Sequence, residues 1–222
     1  MKSYLVIGMG AFGQALATNL MEHDNEVMII DKNANLVSEL SSKFTNAITG
    51  DCTNESVVAA LGVENFDACF VTIGEHFEPS LIITSLMKEH GAKKVITKSL
   101  TDMQDKFLLT NGADEVVNPE KLVAKKLALR FSGANNIQDF ISISSNLNIY
   151  SINVCSNWIG KTIAGLDIRK KHNVNIIAIK DNSNNAILPS PEYVFNEGDE
   201  VIVMGNEADV MKLDSPKRKF WS

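Results

Sequence analysis

Long apolar runs are missing from this chain. None approaches the roughly 18 consecutive apolar residues that a membrane-spanning helix requires, which excludes a helical integral membrane protein. Cysteine is scarce as well: Cys52, Cys69 and Cys155 are odd in number and show no C-x-x-C spacing. Neither a disulfide framework nor a zinc site is indicated, and the three are expected as small core or turn residues. Positive charge is not in excess, because 21 Lys and Arg against 27 Asp and Glu leave a net charge of -6, and that balance argues against nonspecific nucleic-acid binding. His23, His76, His90 and His172 are scattered, with no two spaced as ligands on one helix face; surface positions are expected for them. The layout of a signal peptide is absent too, since the chain opens directly into a strand, so a cytoplasmic location is the expectation. What is present, 222 residues of which 45% are apolar, suffices for one large or two small cores, and two domains are expected.

The strongest local pattern is Leu5-Val-Ile-Gly-Met-Gly-Ala-Phe-Gly13. Apolar residues Tyr4 to Ile7 run into Gly8-x-Gly10-x-x-Gly13, with Ala11 and Phe12 filling the variable positions. Phe12, Leu16 and Leu20 then recur at helical spacing. Such a strand, tight turn and helix use Gly8 for the turn, Gly10 for close approach of a diphosphate and Gly13 for helix-strand packing. The helix N-terminus offers unpaired N–H groups to an anion. A second apolar run, Glu26 to Ile30, ends in Asp31-Lys32, eighteen residues past Gly13, where a carboxylate can accept from both ribose hydroxyls. The unit reads as an adenine-nucleotide site. Helix capping of the segment near Asn33 is the bland alternative for Asp31.

Strands are predicted near 4–7, 26–30, 46–49, 67–73, 94–98 and 115–118, and helices near 12–22, 33–43, 55–61, 77–89 and 102–111. This alternation predicts an α/β fold, a Rossmann-like doubly wound parallel sheet of order 3-2-1-4-5-6, with ligand at the carboxyl ends of the strands. Gly50-Asp51-Cys52-Thr53 follows the third strand, where Asp51 or neighbouring backbone can meet the adenine edge and Thr53 can cap the next helix. Ile73-Gly74-Glu75 follows the fourth, with Gly74 letting the chain pass close to sugar and phosphates. Glu75 and Glu78 could bind a cation or favour the N-terminus of the next helix, and the helix role is the one expected. Lys98 ends the fifth strand as a cation on the phosphate side. Pro119 opens a further helix whose apolar face, Leu122 to Phe131, is broad enough to predict burial by a partner subunit. The pattern breaks at Ser132 to Asn136, so the expected domains are 1–136 and 137–222, the second a small α+β domain with a frayed basic tail from Ser215.

Gly-Met-Gly-Ala-Phe-Gly13, Ile-Ile-Asp31, Gly-Asp51-Cys-Thr, Thr-Ile-Gly-Glu75, Ile-Thr-Lys98, Gly-Ala-Asp114-Glu-Val-Val-Asn-Pro-Glu120 and Asp167-Ile-Arg169 together resemble the cytosolic gating subunits of Ktr/Trk potassium uptake systems. These pair an RCK (KTN) domain with an RCK_C (TrkA-C) domain. The resemblance covers nearly the whole chain and implies no catalytic activity, dimers assembled into an octameric ring, binding of ATP or ADP (alternatively NAD or NADH), and a membrane channel or transporter subunit of the KtrB/TrkH kind. The chain would then sit at the inner face of the membrane through that subunit. It further implies a divalent cation, Mg or Ca, at Glu120. In the second domain it implies a cyclic di-AMP site at Ile163, Asp167, Arg169, Asn175, Ile176, Ile177 and Pro191. Two departures stand out: Ala11 occupies a position where many relatives carry an arginine that reads the terminal phosphate, and Ala164 replaces a usual Ile or Leu. Without the arginine, ATP and ADP are expected to bind with similar strength, unless another cation, Lys98 first, has taken over the role.

An NAD-dependent oxidoreductase would use the same fingerprint, but the strand-rich second half lacks a clustered His/Lys/Asp set for hydride and proton transfer. A redox-sensing transcription factor would need a helix-turn-helix and a basic face, and neither is visible.

Overall fold

The computed structural model describes residues 1–44, 46–74, 76–131 and 137–213. The chain divides into two compact units, residues 1–121 and 122–222.

In the first unit, β1 (Ser3–Ile7), α1 (Ala11–Glu22), β2 (Glu26–Asp31), α2 (Ala34–Leu40), β3 (Asn46–Thr49), α3 (Glu55–Leu61), β4 (Ala68–Val71), α4 (Phe77–Glu89), β5 (Val95–Lys98), α5 (Asp102–Thr110) and β6 (Glu115–Val117) alternate as expected. The strands form one parallel sheet in the order β3-β2-β1-β4-β5-β6. Because successive strand residues face opposite sides, Leu5 and Ile7 join a buried cluster with Val58, Ile83 and Met87, whereas Val6 joins another with Ala17, Ile29 and Phe44. A central strand buried on both faces reads as a continuous apolar run, which is why Leu5-Val6-Ile7 shows no alternation in sequence.

Helix starts follow local chemistry. The Asn33, Asn54 and Thr101 side chains accept N–H bonds at the amino ends of α2, α3 and α5, and Gly62 ends α3 with φ +61°. Asn54, not Thr53, is therefore the cap of α3. Asn33 likewise caps α2, so the capping alternative for Asp31 is not the arrangement found. α2 stops at Leu40, short of the expected residue 43, because the Lys43 N–H bonds Leu40 O at 2.9 Å and tightens the chain into a turn that delivers Phe44 to the core. Cys52, Cys69 and Cys155 are free and buried, and desolvation pushes the Cys52 and Cys69 thiols up to about 12.

α6 (Pro119–Phe131) begins in the first unit and continues through residues of the second. The expected break at residues 132–136, Glu75 and the tail from Asp214 lie outside the described residues. The second unit then contains β7 (Ile137–Ser142), β8 (Asn148–Asn153), α7 (Ile163–Leu166), α8 (Ile168–His172), β9 (Asn175–Lys180), β10 (Ala186–Ile187), β11 (Glu200–Gly205) and α9 (Glu207–Val210). Its sheet, β10-β9-β11-β8-β7, is antiparallel. One face is buried: Tyr150 and Ile152 of β8 and Val201 and Val203 of β11 point inward in strict alternation. They meet Trp158, which is 1% exposed and lies 5.4 Å from the Phe195 ring. The expected turn at residues 181–185 is held by the Asp181 carboxylate, which accepts the Ser183 and Asn185 N–H groups at 2.9 and 2.8 Å.

Deleting the indole should leave a cavity that this small core cannot close. Trp158→Ala is expected to cost about 3 to 5 kcal/mol in the second unit, read as an early transition in urea unfolding followed by far-UV circular dichroism, while the transition of the first unit stays in place.

Candidate functional site

The turn from β1 into α1 is held by three constraints. Gly8 has φ +90°, a conformation side-chain-bearing residues rarely adopt, and its N–H bonds Ile30 O at 2.9 Å. A Cβ on Gly13 would collide with the carbonyl oxygen of Gly8 and come within 2.6 Å of Thr72 Oγ1. Gly10 differs: a Cβ there would meet nothing within 4 Å, so the protein's own packing does not demand glycine and the backbone lies open to a ligand. Gly10 is the N-cap of α1, with no side-chain cap and no acidic residue in the first turn. Unclaimed N–H groups and the helix dipole favour an anion at that end.

Two side chains clasp the turn. Asp31, at the end of β2, accepts the Met9 N–H at 2.6 Å through one oxygen and the Asn33 N–H at 2.8 Å through the other. A carboxylate has about four lone-pair sites, so acceptor capacity remains for a diol. Thr72, just past β4, shares its hydroxyl proton between the Ile7 and Gly8 carbonyls, at 3.0 and 2.5 Å. Sequence reasoning missed Thr72, because only the parallel pairing of β1 with β4 brings it across 64 residues to Gly8.

Further along the carboxyl edge of the sheet, the Asp51 carboxylate accepts both the N–H and the hydroxyl of Thr53, at 3.0 and 2.7 Å. Those bonds, with the nearby Lys32 charge, hold its pKa below the ordinary carboxylate value. Asp51 and Lys32 are exposed, but the Cys52 thiol is 2% exposed and packs in the core. Only the Cys52 backbone could meet a ligand. Ile73 packs beneath the turn, its Cγ1 2.8 Å from where a Gly8 Cβ would lie. The space left by the side chain Gly74 lacks is taken by Lys98, whose Nζ is 3.0 Å from that position. The Lys98 ammonium pairs with Glu120 at 2.5 Å and lies 5.8 Å from the centre of the Phe12 ring. That bond holds the Glu120 pKa below its ordinary value. Among the described residues no group of three or more His, Cys, Asp and Glu could hold a metal ion.

Beside α1, an open groove of about 360 Å³ runs over the sheet, floored by Tyr4, Phe70, Ile96 and Val117 and flanked by Phe12 and Leu16. Lys98 stands among its lining residues.

In the second unit the residues singled out by the resemblance fall on α7, α8, β9 and the stretch that contains Pro191. The Ile163 and Ala164 N–H groups bond Tyr193 O and Pro191 O at 3.1 and 3.0 Å, placing Pro191 against the start of α7. Ile163 and Ile176 are partly buried on the core, whereas Ile177 is exposed. Asp167 has φ +48°, and its carboxylate lies 3.9 Å from Lys170. An Asp167–Arg169 ion pair is not what forms, and Arg169 stays exposed. Asn175 opens β9.

Residues 4–119 match the TrkA-N domain and residues 149–216 the TrkA-C domain. The Ktr system potassium uptake protein C of Bacillus subtilis is 35% identical over 213 residues, 96% of each chain. This chain belongs to that TrkA-N/TrkA-C family of Ktr proteins. A second Bacillus subtilis member, Ktr system potassium uptake protein A, is 29% identical over 96% of each chain. Among solved structures, the GsuK channel superposes with a TM-score of 0.73 at 19% identity, over 97% of this chain and 40% of the channel chain. The GsuK channel bound to NAD superposes at 0.69 and 19% identity, over 94% and 38%. At these identities the likeness is one of fold, and the Ktr-family chain spans about two fifths of the channel it matches. No helix among the described residues is long and apolar enough to cross a membrane.

Thr72→Val keeps the shape and removes the hydroxyl that ties β4 to the glycine turn. We expect a loss of about 1 to 3 kcal/mol, measured by denaturant unfolding of the first unit, with hydrogen exchange at Met9 and Gly10 accelerated more than at the strand centres.

Proposed function

We propose that this chain is a regulatory nucleotide-binding subunit that gates a membrane potassium channel or transporter and performs no chemistry of its own. The observation that carries this reading is the glycine turn: open backbone at Gly10, an uncapped α1 beside it, and an Asp31 carboxylate held against the turn by the Met9 N–H, where we infer that it would meet a ribose. The names of the Ktr relatives supply potassium uptake as the process, and the GsuK complex supplies NAD as one ligand that a protein of this fold holds. ATP or ADP, alternatively NAD or NADH, would lie along Gly8 to Gly13 with ribose on Asp31, adenine near Asp51 to Thr53, and phosphates toward Gly74, Glu75 and Lys98. A cation at Glu120 would draw its other ligands from the nucleotide or a second subunit. Cyclic di-AMP would lie against Ile163, Ile176, Ile177 and Pro191, with Arg169 facing a phosphate.

A ligand can bias gating only through different contacts in two states. Those states would be arrangements of a dimer, repeated in an octameric ring docked on a KtrB/TrkH-like subunit at the inner membrane face. In cells lacking their own copy, the natural chain should restore growth at limiting potassium and Asp31→Ala should not. In calorimetry, Asp31→Ala should weaken ADP binding by at least roughly tenfold, and NADP should bind more weakly than NAD because Asp31 repels a 2′-phosphate. Equal NAD and NADP affinities, or undiminished ADP binding in the variant, would count against the site.

The oligomer has its own support. On α6, Val123, Leu127 and Phe131 form a stripe at i, i+4 and i+8 that is 52%, 49% and 76% exposed. Solvent-facing apolar stripes of this kind mark subunit contacts. Native mass spectrometry at micromolar concentration should show dimers or larger species, and Leu127→Asp should shift them toward monomer. A natural chain that is monomeric at that concentration would overturn the assignment.

A further inference from the structure

We propose that the second unit binds an anionic lipid bilayer directly, through a basic and aromatic surface made by Lys170 and Lys171 of α8, Lys212, and residues 217–221. The inference goes beyond the nucleotide reading and makes no use of the glycine turn.

The described part of this surface is joined at Asn173. Just past α8, it adopts φ +54°, and its side-chain amide donates to the Asp209 carboxylate of α9 at 3.1 Å. That bond sets the last turn of α8, where Lys170 and Lys171 are exposed, beside the helix from which the chain goes on to Lys212. Two carboxylates lie near, and neither cancels the patch. Asp167 is 3.9 Å from Lys170, whose side chain is 83% exposed, and Asp209 is divided among Asn173, Asn206 and Lys212. Exposed pairs of this kind hold their cations weakly.

Leu213 is the fixed point. It is 4% exposed in the core of the second unit, with its N–H on Val210 O at 3.1 Å. The sequence continues Asp214-Ser-Pro-Lys217-Arg-Lys-Phe-Trp221, three consecutive cations and then two aromatics, with no acidic residue after Asp214. Chain length alone keeps Lys217 within roughly 14 Å of Leu213, so these cations add to those of α8 and Lys212. The TrkA-C match ends at residue 216 and does not account for them.

The combination selects the partner. Each Lys or Arg beside anionic headgroups strengthens binding roughly fivefold, and a Phe-Trp pair settles at the headgroup level, the second signal that stable attachment needs. A nucleic-acid duplex would use the cations and leave that pair without an apolar medium. The net charge of -6 on the whole chain disfavours it further.

The test is sedimentation of the full chain with vesicles of phosphatidylcholine alone and of phosphatidylcholine mixed with phosphatidylglycerol. Binding should require phosphatidylglycerol and fade between roughly 0.1 and 1 M salt. Lys217→Gln, Arg218→Gln and Lys219→Gln combined should weaken it on the order of 100-fold, and Lys170→Gln with Lys171→Gln roughly tenfold or more. Tryptophan emission should shift to the blue on binding, and Trp221→Phe should abolish the shift, because Trp158 is 1% exposed already. Absence of binding, equal binding to both vesicles, or full binding by the triple variant would overturn the proposal. An unaffected Lys170→Gln and Lys171→Gln variant would overturn the composite surface, and tighter retention on duplex DNA than on the anionic vesicles would make the partner a nucleic acid instead.

Discussion

No carbon atom fits between Gly13 and the carbonyl of Gly8, and much of the first unit is arranged around that fact. The contact sets the distance between β1 and α1, which in turn fixes where the open end of the helix points. Two side chains from distant strands complete it: Asp31 holds the Met9 N–H, and Thr72 holds the Ile7 and Gly8 carbonyls. The turn is thus held by hydrogen bonds with the protein's own side chains.

The pattern of strands and helices was legible because each element carries its own signal. Central strands are runs such as Leu5-Val6-Ile7, α2, α3 and α5 begin at Asn or Thr caps, although the α3 cap falls at Asn54 and not Thr53, and α3 ends at Gly62. Asp31 and the glycines were legible for the same reason, since their chemistry depends on spacing within one βαβ unit. What the sequence did not disclose was contact across the sheet. Thr72 lies 64 residues from the carbonyl it binds, and Lys98 meets Glu120 only because β5 and β6 pair side by side. Cys52 shows the opposite failure: it sits inside a motif that reads as ligand-facing, yet the turn between β3 and α3 packs its side chain into the core.

The two units solve burial differently. The parallel sheet has apolar clusters on both faces, with an open groove beside α1. The antiparallel sheet buries one face, so its strands alternate visibly and its turns need explicit chemistry, as at Asp181. α6 belongs fully to neither pattern. Among its residues Leu129 is buried, while Leu122, Val123, Leu127 and Phe131 remain in contact with water in the single chain.

The thiols described above carry a consequence of another kind. With pKa values of about 12, Cys52 and Cys69 hold only about one thiolate in 10⁵ at neutral pH, and both are shut away from solvent. Oxidants act on thiolates that they can reach. A peroxide or disulfide in the surroundings therefore has no foothold at these two positions, whereas the thioether of Met103, 61% exposed in the same unit, lies within an oxidant's reach.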